Sequence, residues 1–507
     1  MSTLAQADLP AADHAGSAAR NIAVIDIGSN SIRMVLFRLE GRALFPMFNE
    51  KTMAGLGRGA GETGLLNPEG VAAAIRTLKR FRTLLDAKQV TERHAVATAA
   101  VRATTDGPAF VERVREECGL EIRVLSGEEE GRLSAAGVVA GMGDCDGVTG
   151  DLGGSSLELT RISGRELGPA ISLQVGPLAM LKDNSDQEAL RKAIDDALRN
   201  AEPVFQGSGP VFYAVGGAWR AFAHLAMAGE DHPLHVLHQF ELSRDDVFKY
   251  ADFAAAQSES SLSSTPGVSS KRAAMLPYAA QLLRRVMKLG KFERVVFSAN
   301  GLREGVIYAA EPRLYLEGDP LFAAAEAMVS AVSPEPAFGV RLAEWIEPVF
   351  ETEPEIFSRD RDRVVRAAAA RLTDYGVRMH PDHRADLASN QVLFGPLSGI
   401  SHRERAFLAL AIHHRYQGKK PPGEESACRR LLDDEAEGAA LRLGLALRLG
   451  AALSGRTVEL LDHFRLERTP NELVLRVAKG MEDTAVERAL HRLDQLAGVM
   501  DLKAAVL

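Results

Sequence analysis

One short pattern occurs twice in this chain, at Asp26-Ile27-Gly28-Ser29-Asn30-Ser31-Ile32 and, 125 residues later, at Asp151-Leu152-Gly153-Gly154-Ser155-Ser156-Leu157. Both copies read Asp, aliphatic, Gly, small, small, Ser, aliphatic, and both lie between β-like segments. A repeat at this distance is too long for a solenoid and predicts a duplicated domain. Glycine and small residues let backbone N–H groups approach an anion closely. Serine and asparagine side chains add donors. An aspartate at a strand end only accepts, so it suits a hard divalent cation that phosphate also binds. Two such loops facing each other form a phosphate clamp.

The order of elements supports α/β layers. Ala23 to Ile25 and Ile32 to Leu39 read as strands around the first loop. Asn67-Pro68 reads as a helix start, with Val71, Ile75, Leu78 and Leu85 at helical spacing. His94 to Thr98 and Ile122 to Leu125 read as strands, and Phe110 to Cys118 and Glu128 to Ala140 as helices. The pattern restarts near Gly147. Val211 to Val215 is a strand ending in Gly216-Gly217, which reads either as a further anion site at a helix N-terminus or as a structural turn. Arg294 to Ser298 is another strand. Long Ala/Leu/Arg-rich helical stretches run from about residue 310 to about 453. They are followed by a hairpin over Val458 to Val477 and a last helix over Thr484 to Ala497, with Val486, Leu490 and Leu493 inward.

Other features narrow the chemistry. A net charge of -8 argues against a nucleic-acid binder, while leaving room for a local basic patch. Cys118, Cys145 and Cys428 match no metal or redox spacing and read as buried thiols of a reduced, cytoplasmic protein. Residues 1–20 read as a floppy tail rather than a signal peptide, and no membrane span is visible. Gly59 to Gly64 fits G-x-G-x-x-G but opens no helix directly, so it reads as a mobile loop. Neither G-x-x-x-x-G-K-[ST] nor H-E-x-x-H occurs.

Ser126 and Glu129 fit a capping box, which leaves Glu130 as a candidate general base for water. Arg102 is expected to close the strand Ala95 to Ala99 as a phosphate fork. Lys271-Arg272 and Lys419-Lys420 could guide a polyanion.

These pieces together resemble the exopolyphosphatase/guanosine pentaphosphate phosphohydrolase (Ppx/GppA) family. The carrying segments are Ala23 to Ser31, Ala97 to Arg102, Ser126 to Leu133, Asp151 to Leu159 and Asn300-Gly301-Leu302-Arg303-Glu304-Gly305. The resemblance implies an α/β, actin-like (acetate and sugar kinase/Hsp70/actin) duplicated two-lobe fold with Mg²⁺ at the cleft. It implies Glu130 as catalytic base and Asp26, Asp151 and Glu158 as acidic metal and water ligands. Phosphate contacts would come from Ser29, Asn30, Ser31, Arg102, Gly153, Gly154, Ser155, Gly216 and Gly217. Where the family usually has a third glycine this chain has Ser155, which is expected to alter binding rather than abolish it. Gly131 replaces a usual Ala and is expected to matter little for chemistry.

The expected organisation is a tail over 1–20, lobe I over 21–135, lobe II over 136–310 and a mainly helical region over 311–507. That last region is similar to a degenerate HD phosphohydrolase domain, with Thr373 where a His would be needed. The implied activity is Mg²⁺-dependent exopolyphosphatase, with another divalent ion or K⁺ as possible cofactors. The alternative substrate is guanosine pentaphosphate (pppGpp). A kinase-like ATPase and a non-enzymatic polyphosphate sensor are further alternatives. A homodimer is implied, and no nucleic-acid or membrane partner.

Overall fold

The computed structural model describes residues 19–181 and 187–507. The expected tail over 1–20 lies outside these residues except for Ala19 and Arg20, and Arg20 already opens the first strand. The chain divides into two compact units, Ala18–Pro320 and a C-terminal unit beginning at Leu321.

The first unit holds two sheets. One contains β1 (Arg20–Ile27), β2 (Ile32–Glu40), β3 (Ala43–Thr52), β4 (Glu92–Ala97) and β5 (Ile122–Val124), in the order β3-β2-β1-β4-β5. The other contains β6 (Cys145–Leu152), β7 (Leu157–Gly164), β8 (Glu166–Leu173), β9 (Val211–Val215), β10 (Glu241–Ser243) and β11 (Arg294–Phe297), in the order β10-β11-β9-β6-β7-β8. Without the edge strand β10 the two orders are identical. In both, a three-stranded antiparallel meander is extended by parallel strands. Even the bulges correspond, falling at Leu36/Phe37 in one meander and at Thr160/Ile162 in the other.

β1 is buried on both faces. Ala23, Ile25 and Ile27 enter one apolar cluster, and Ile22 and Val24 enter another. This is the continuous apolar reading expected of a central strand covered by helices.

The helix Gly127–Met142 starts at a complete capping box between Ser126 and Glu129 and runs through residues 135 and 136. Its backbone packs directly on the helix Leu302–Ala310. A Cβ on Gly305 would lie 1.7 Å from the Leu133 carbonyl oxygen, and one on Gly137 would lie 2.1 Å from the Gly301 oxygen. Glycine is required on both helices for so close a crossing.

Several local expectations change. Arg102 is not on a strand: β4 ends at Ala97, and Arg102 belongs to a short helix, Ala99–Ala103. Gly59 to Gly64 contains a single helical turn, Ala60–Thr63. In the C-terminal unit, Val458–Leu461 is a helical turn, and the hairpin is confined to β12 (Phe464–Arg468) and β13 (Glu472–Val477), with β14 (Lys503–Val506) added in parallel. The last helix is Glu487–Val499. Val486 is its N-cap and is 54% exposed, whereas Leu493 is buried.

The helices of the C-terminal unit include Ala337–Phe350, Arg359–Arg371, His402–Gln417 and Asp434–Leu453. There the buried Thr373 hydroxyl accepts from Arg415 Nε at 2.8 Å. Asp374 accepts from Ser333 at 3.1 Å and lies 3.8 Å from Arg456. A buried guanidinium therefore fills the space beside Thr373. The three cysteines are free and buried. Among the described residues no helix is long and apolar enough to cross a membrane.

Candidate active site

The two Asp-Gly-Ser segments are four-residue hairpin loops of matched geometry. The Gly28 N–H donates to the Ser31 carbonyl at 3.0 Å, and the Gly153 N–H to the Ser156 carbonyl at 3.0 Å. A second strap repeats as well. The Ser29 and Asn30 carbonyls accept from Gly57 and Gly55, and the Gly154 and Ser155 carbonyls accept from Leu178 and Gly176. The loop carbonyls are thus occupied. Among the described residues the N–H groups of Ser29, Asn30, Gly154 and Ser155 donate to no backbone carbonyl, which is the donor pattern of an anion nest. The loops also meet: a Cβ on Gly154 would lie 3.9 Å from Asn30 Cβ.

Residues directly opposite on antiparallel strands share a face, and this rule exposes an asymmetry. In the first meander the row from loop to edge is Asp26, Arg33, Lys51. In the second, the corresponding row is Asp151, Glu158, Ser172. The row of the first meander therefore continues from its aspartate with cations, and that of the second with a carboxylate.

The acidic row is joined by Glu130, which is buried in the first turn of its helix, next to the capping box. Arg102 Nη1 donates to Glu130 Oε2 at 3.2 Å and to the Leu125 carbonyl at 2.6 Å. Ser172 Oγ donates to Glu158 Oε1 at 2.8 Å, and Ser134 Oγ to Asp151 Oδ2 at 2.6 Å. Burial, followed by repulsion from Glu158 and Asp151, holds the Glu130 carboxyl well above the ordinary carboxylate range, and Arg102 pulls it back. Burial likewise raises Glu158. Asp151 is pushed up to about 6, mainly by burial, against the Ser134 hydrogen bond.

Gly131 lies at a close approach between helix and sheet. A Cβ there would lie 2.9 Å from Thr160 Oγ1 and 3.3 Å from Glu158 Cβ, so glycine brings the Glu130 helix close to the acidic row.

The basic side was only partly legible in the sequence. Burial raises the Asp26 carboxyl, and Arg303, Arg33 and Lys51 oppose the rise. Arg33 is lowered to about 10 by burial and by Arg303 and Arg220. Lys51 is lowered by burial and by Arg272, Arg33 and Arg303. Among the described residues none of Arg33, Lys51, Arg220, Arg272 and Arg303 forms a salt bridge. The Nε atoms of Arg220 and Arg303 are buried without a hydrogen-bond partner.

Gly216 and Gly217 begin the helix Gly217–Gly229. Gly216 has φ 117°, and a Cβ on it would lie 2.5 Å from the Leu152 oxygen. A Cβ on Gly217 would lie 3.6 Å from Arg272 Nη2. Of the pair Lys271-Arg272, only Arg272 joins this cluster; Lys271 is exposed. Lys419 and Lys420 belong to the C-terminal unit and are exposed after the helix His402–Gln417.

A divalent cation fits this chemistry. Asp151 and Glu158 stand opposite each other as hard oxygen donors, and burial raises the pKa of both. Among the described residues no three His, Cys, Asp or Glu side chains converge as a ready cage. Mg²⁺ is typically held by one or two carboxylates, with waters and substrate phosphates completing the shell. Asp26 differs from the other two expected ligands, because arginines and a lysine already surround it.

Two sheets of one topology, each offering an Asp-Gly-Ser hairpin to a shared cleft, define an actin-like two-lobe protein. The chain belongs to the Ppx/GppA phosphatase family, whose model matches residues 18–314. A second model, exopolyphosphatase, C-terminal, matches residues 321–507. Retrograde regulation protein 2 of Saccharomyces cerevisiae is 23% identical over 470 residues, covering 85% of this chain and 78% of that protein. Guanosine-5'-triphosphate,3'-diphosphate pyrophosphatase of Vibrio vulnificus is 25% identical over 299 residues, and the match spans 56% of this chain and 58% of that protein's length. The crystal structure of an exopolyphosphatase from Cytophaga hutchinsonii aligns with TM-score 0.52 and 24% identity, covering 57% of this chain and 97% of that one. It carries the same fold.

The Arg102–Glu130 contact has a measurable consequence. The general base expected at Glu130 would work ionised, and Arg102 favours the ionised form. Arg102→Gln is therefore expected to move the acid limb of the kcat/KM profile for phosphate release toward higher pH. An unmoved limb would show that Glu130 is not the group titrating there.

Proposed function

We propose that this protein is an exopolyphosphatase that releases orthophosphate from the end of inorganic polyphosphate. The observation that carries this reading is the polarity of the cleft: Glu130, Asp151 and Glu158 gather on one side, and five cations that form no salt bridge with any described residue gather on the other, with Asp26 and Glu304 among them. A site for a single phosphate monoester needs no such cationic run, whereas an extended polyanion does.

In this account the N–H groups of Ser29, Asn30, Gly154 and Ser155 bind the terminal phosphate oxygens. Arg33, Lys51, Arg220, Arg272 and Arg303 receive the charge of the remaining chain. Glu130 accepts a proton from water as the water oxygen bonds to the terminal phosphorus. The bridging P–O bond breaks, and its electron pair leaves with the shortened chain. Asp151 and Glu158 would hold Mg²⁺, which when bound neutralises phosphate charge. Positioning and charge stabilisation dominate, because phosphoryl transfer passes through a loose transition state.

A second reading is hydrolysis of pppGpp, favoured by the Vibrio relative, whose similarity covers 56% of this chain. Two phosphate arms on one nucleotide would also occupy five cations. Phosphate release from long-chain polyphosphate and from pppGpp, measured side by side with Mg²⁺ present, separates the two. Higher kcat/KM on polyphosphate supports the proposal, and higher kcat/KM on pppGpp replaces it with the second reading. The name of the yeast relative suggests a regulatory role, which would be favoured by binding of polyphosphate without release from any of these substrates.

A further inference from the structure

We propose that Ser134 is a positioning residue that fixes Asp151 for cation binding and ties it to the helix carrying Glu130. The inference rests on the reading of the cleft as a divalent-dependent hydrolase site.

Ser134 is fully buried, one helical turn beyond Glu130. A serine inside a helix ordinarily bonds back to a carbonyl of the preceding turn or faces solvent. This one does neither: its hydroxyl crosses to β6 and donates to Asp151 Oδ2 at 2.6 Å. The surroundings leave the hydroxyl little freedom. A Cβ on Gly301 would lie 3.3 Å from Ser134 Oγ, 3.6 Å from Asp151 Oδ2 and 2.6 Å from Val215 Cγ1. Holding Oδ2 from the helix sets the direction of Oδ1. Glu158 has an analogous arrangement, because Ser172 on β8 holds its Oε1. Each carboxylate of the acidic row thus has one oxygen fixed by a serine from a different element. Only the Ser134 bond comes from the helix that bears the general base. A shift of that helix would move Glu130 and Asp151 together, which preserves the spacing between the base and a cation bound at Asp151.

Groups that orient metal ligands typically change metal affinity 10–100-fold when removed. The test is titration of the full-length protein with Mn²⁺ alone, without phosphate, followed by calorimetry, together with the thermal midpoint with and without Mn²⁺. Ser134→Ala is expected to weaken Mn²⁺ binding by about tenfold or more and to shrink the Mn²⁺-induced rise in Tm. The metal-free Tm should stay close to that of the parent. Phosphate release by the variant should need more metal and recover at saturating metal. Ser134→Cys keeps the volume with a weaker donor and should fall between the two, so the comparison survives if alanine perturbs folding. Equal Mn²⁺ affinity in parent and variants, with an unchanged metal requirement, would overturn the role of Ser134 alone. Absence of Mn²⁺ binding by the parent protein would overturn the divalent-dependent reading and this proposal with it.

Discussion

Glu130→Gln is expected to lower the rate of phosphate release from polyphosphate by about 10³-fold, within the usual range for removing a general base, while leaving polyphosphate binding within a few-fold of the parent. The amide keeps the shape of the side chain and can still meet Arg102, but it cannot accept the proton of the attacking water. The substitution also removes a titratable carboxyl from a buried acidic row, so the variant should fold at least as well as the parent. Phosphate release under single-turnover conditions, paired with equilibrium binding of labelled polyphosphate, separates the two effects. A variant retaining more than about a tenth of the parent's rate would remove Glu130 from the role of base, because general-base contributions of that size are too small.

Arg33→Glu carries the second large effect. Arg33 is the basic counterpart of Glu158 in the repeat, since it stands opposite Asp26 as Glu158 stands opposite Asp151. The substitution makes both rows acidic. It deletes one cation of the cluster and places a like charge opposite Asp26. Hydrogen bonds to charged groups contribute roughly 1.5–3 kcal/mol, and each 1.4 kcal/mol is tenfold in affinity. KM for tripolyphosphate should therefore rise by at least about tenfold, with a smaller change in kcat. Arg33→Gln, which can still donate to Asn49 as Arg33 Nε now does at 2.7 Å, should show a smaller rise in the same direction. An unchanged KM in the charge-reversed variant would mean that the chain of phosphates does not run past Arg33.

The sequence carried most of the fold because the duplication preserves local chemistry. A four-residue loop needs Gly at one position and small residues at the next, and both copies keep them. The same period-2 logic could have found Arg33, because a residue two places beyond the loop lies on the face of the residue two places before it. Lys51, Arg220 and Arg303 were harder. Their meeting depends on a third strand, on the other lobe and on a helix far along the chain, and no local spacing encodes that. The contact of Arg102 with Glu130 and its place on a helix were both hidden, because Ala99-Ala100-Val101 continues the apolar run of β4 and masks the point where the strand ends. Ser134 had a signal in its i, i+4 relation to Glu130, although its partner on β6 could be identified only in the folded chain. Gly131 offered no side chain to read, and its close approach to Thr160 and Glu158 is visible only in the folded chain.

The product spectrum of long-chain polyphosphate tests the central claim most directly. The parent protein should release orthophosphate from the first turnovers, with the remaining chains shortening from their ends. Accumulation of internal fragments, or chains left intact under conditions where they bind, would contradict it.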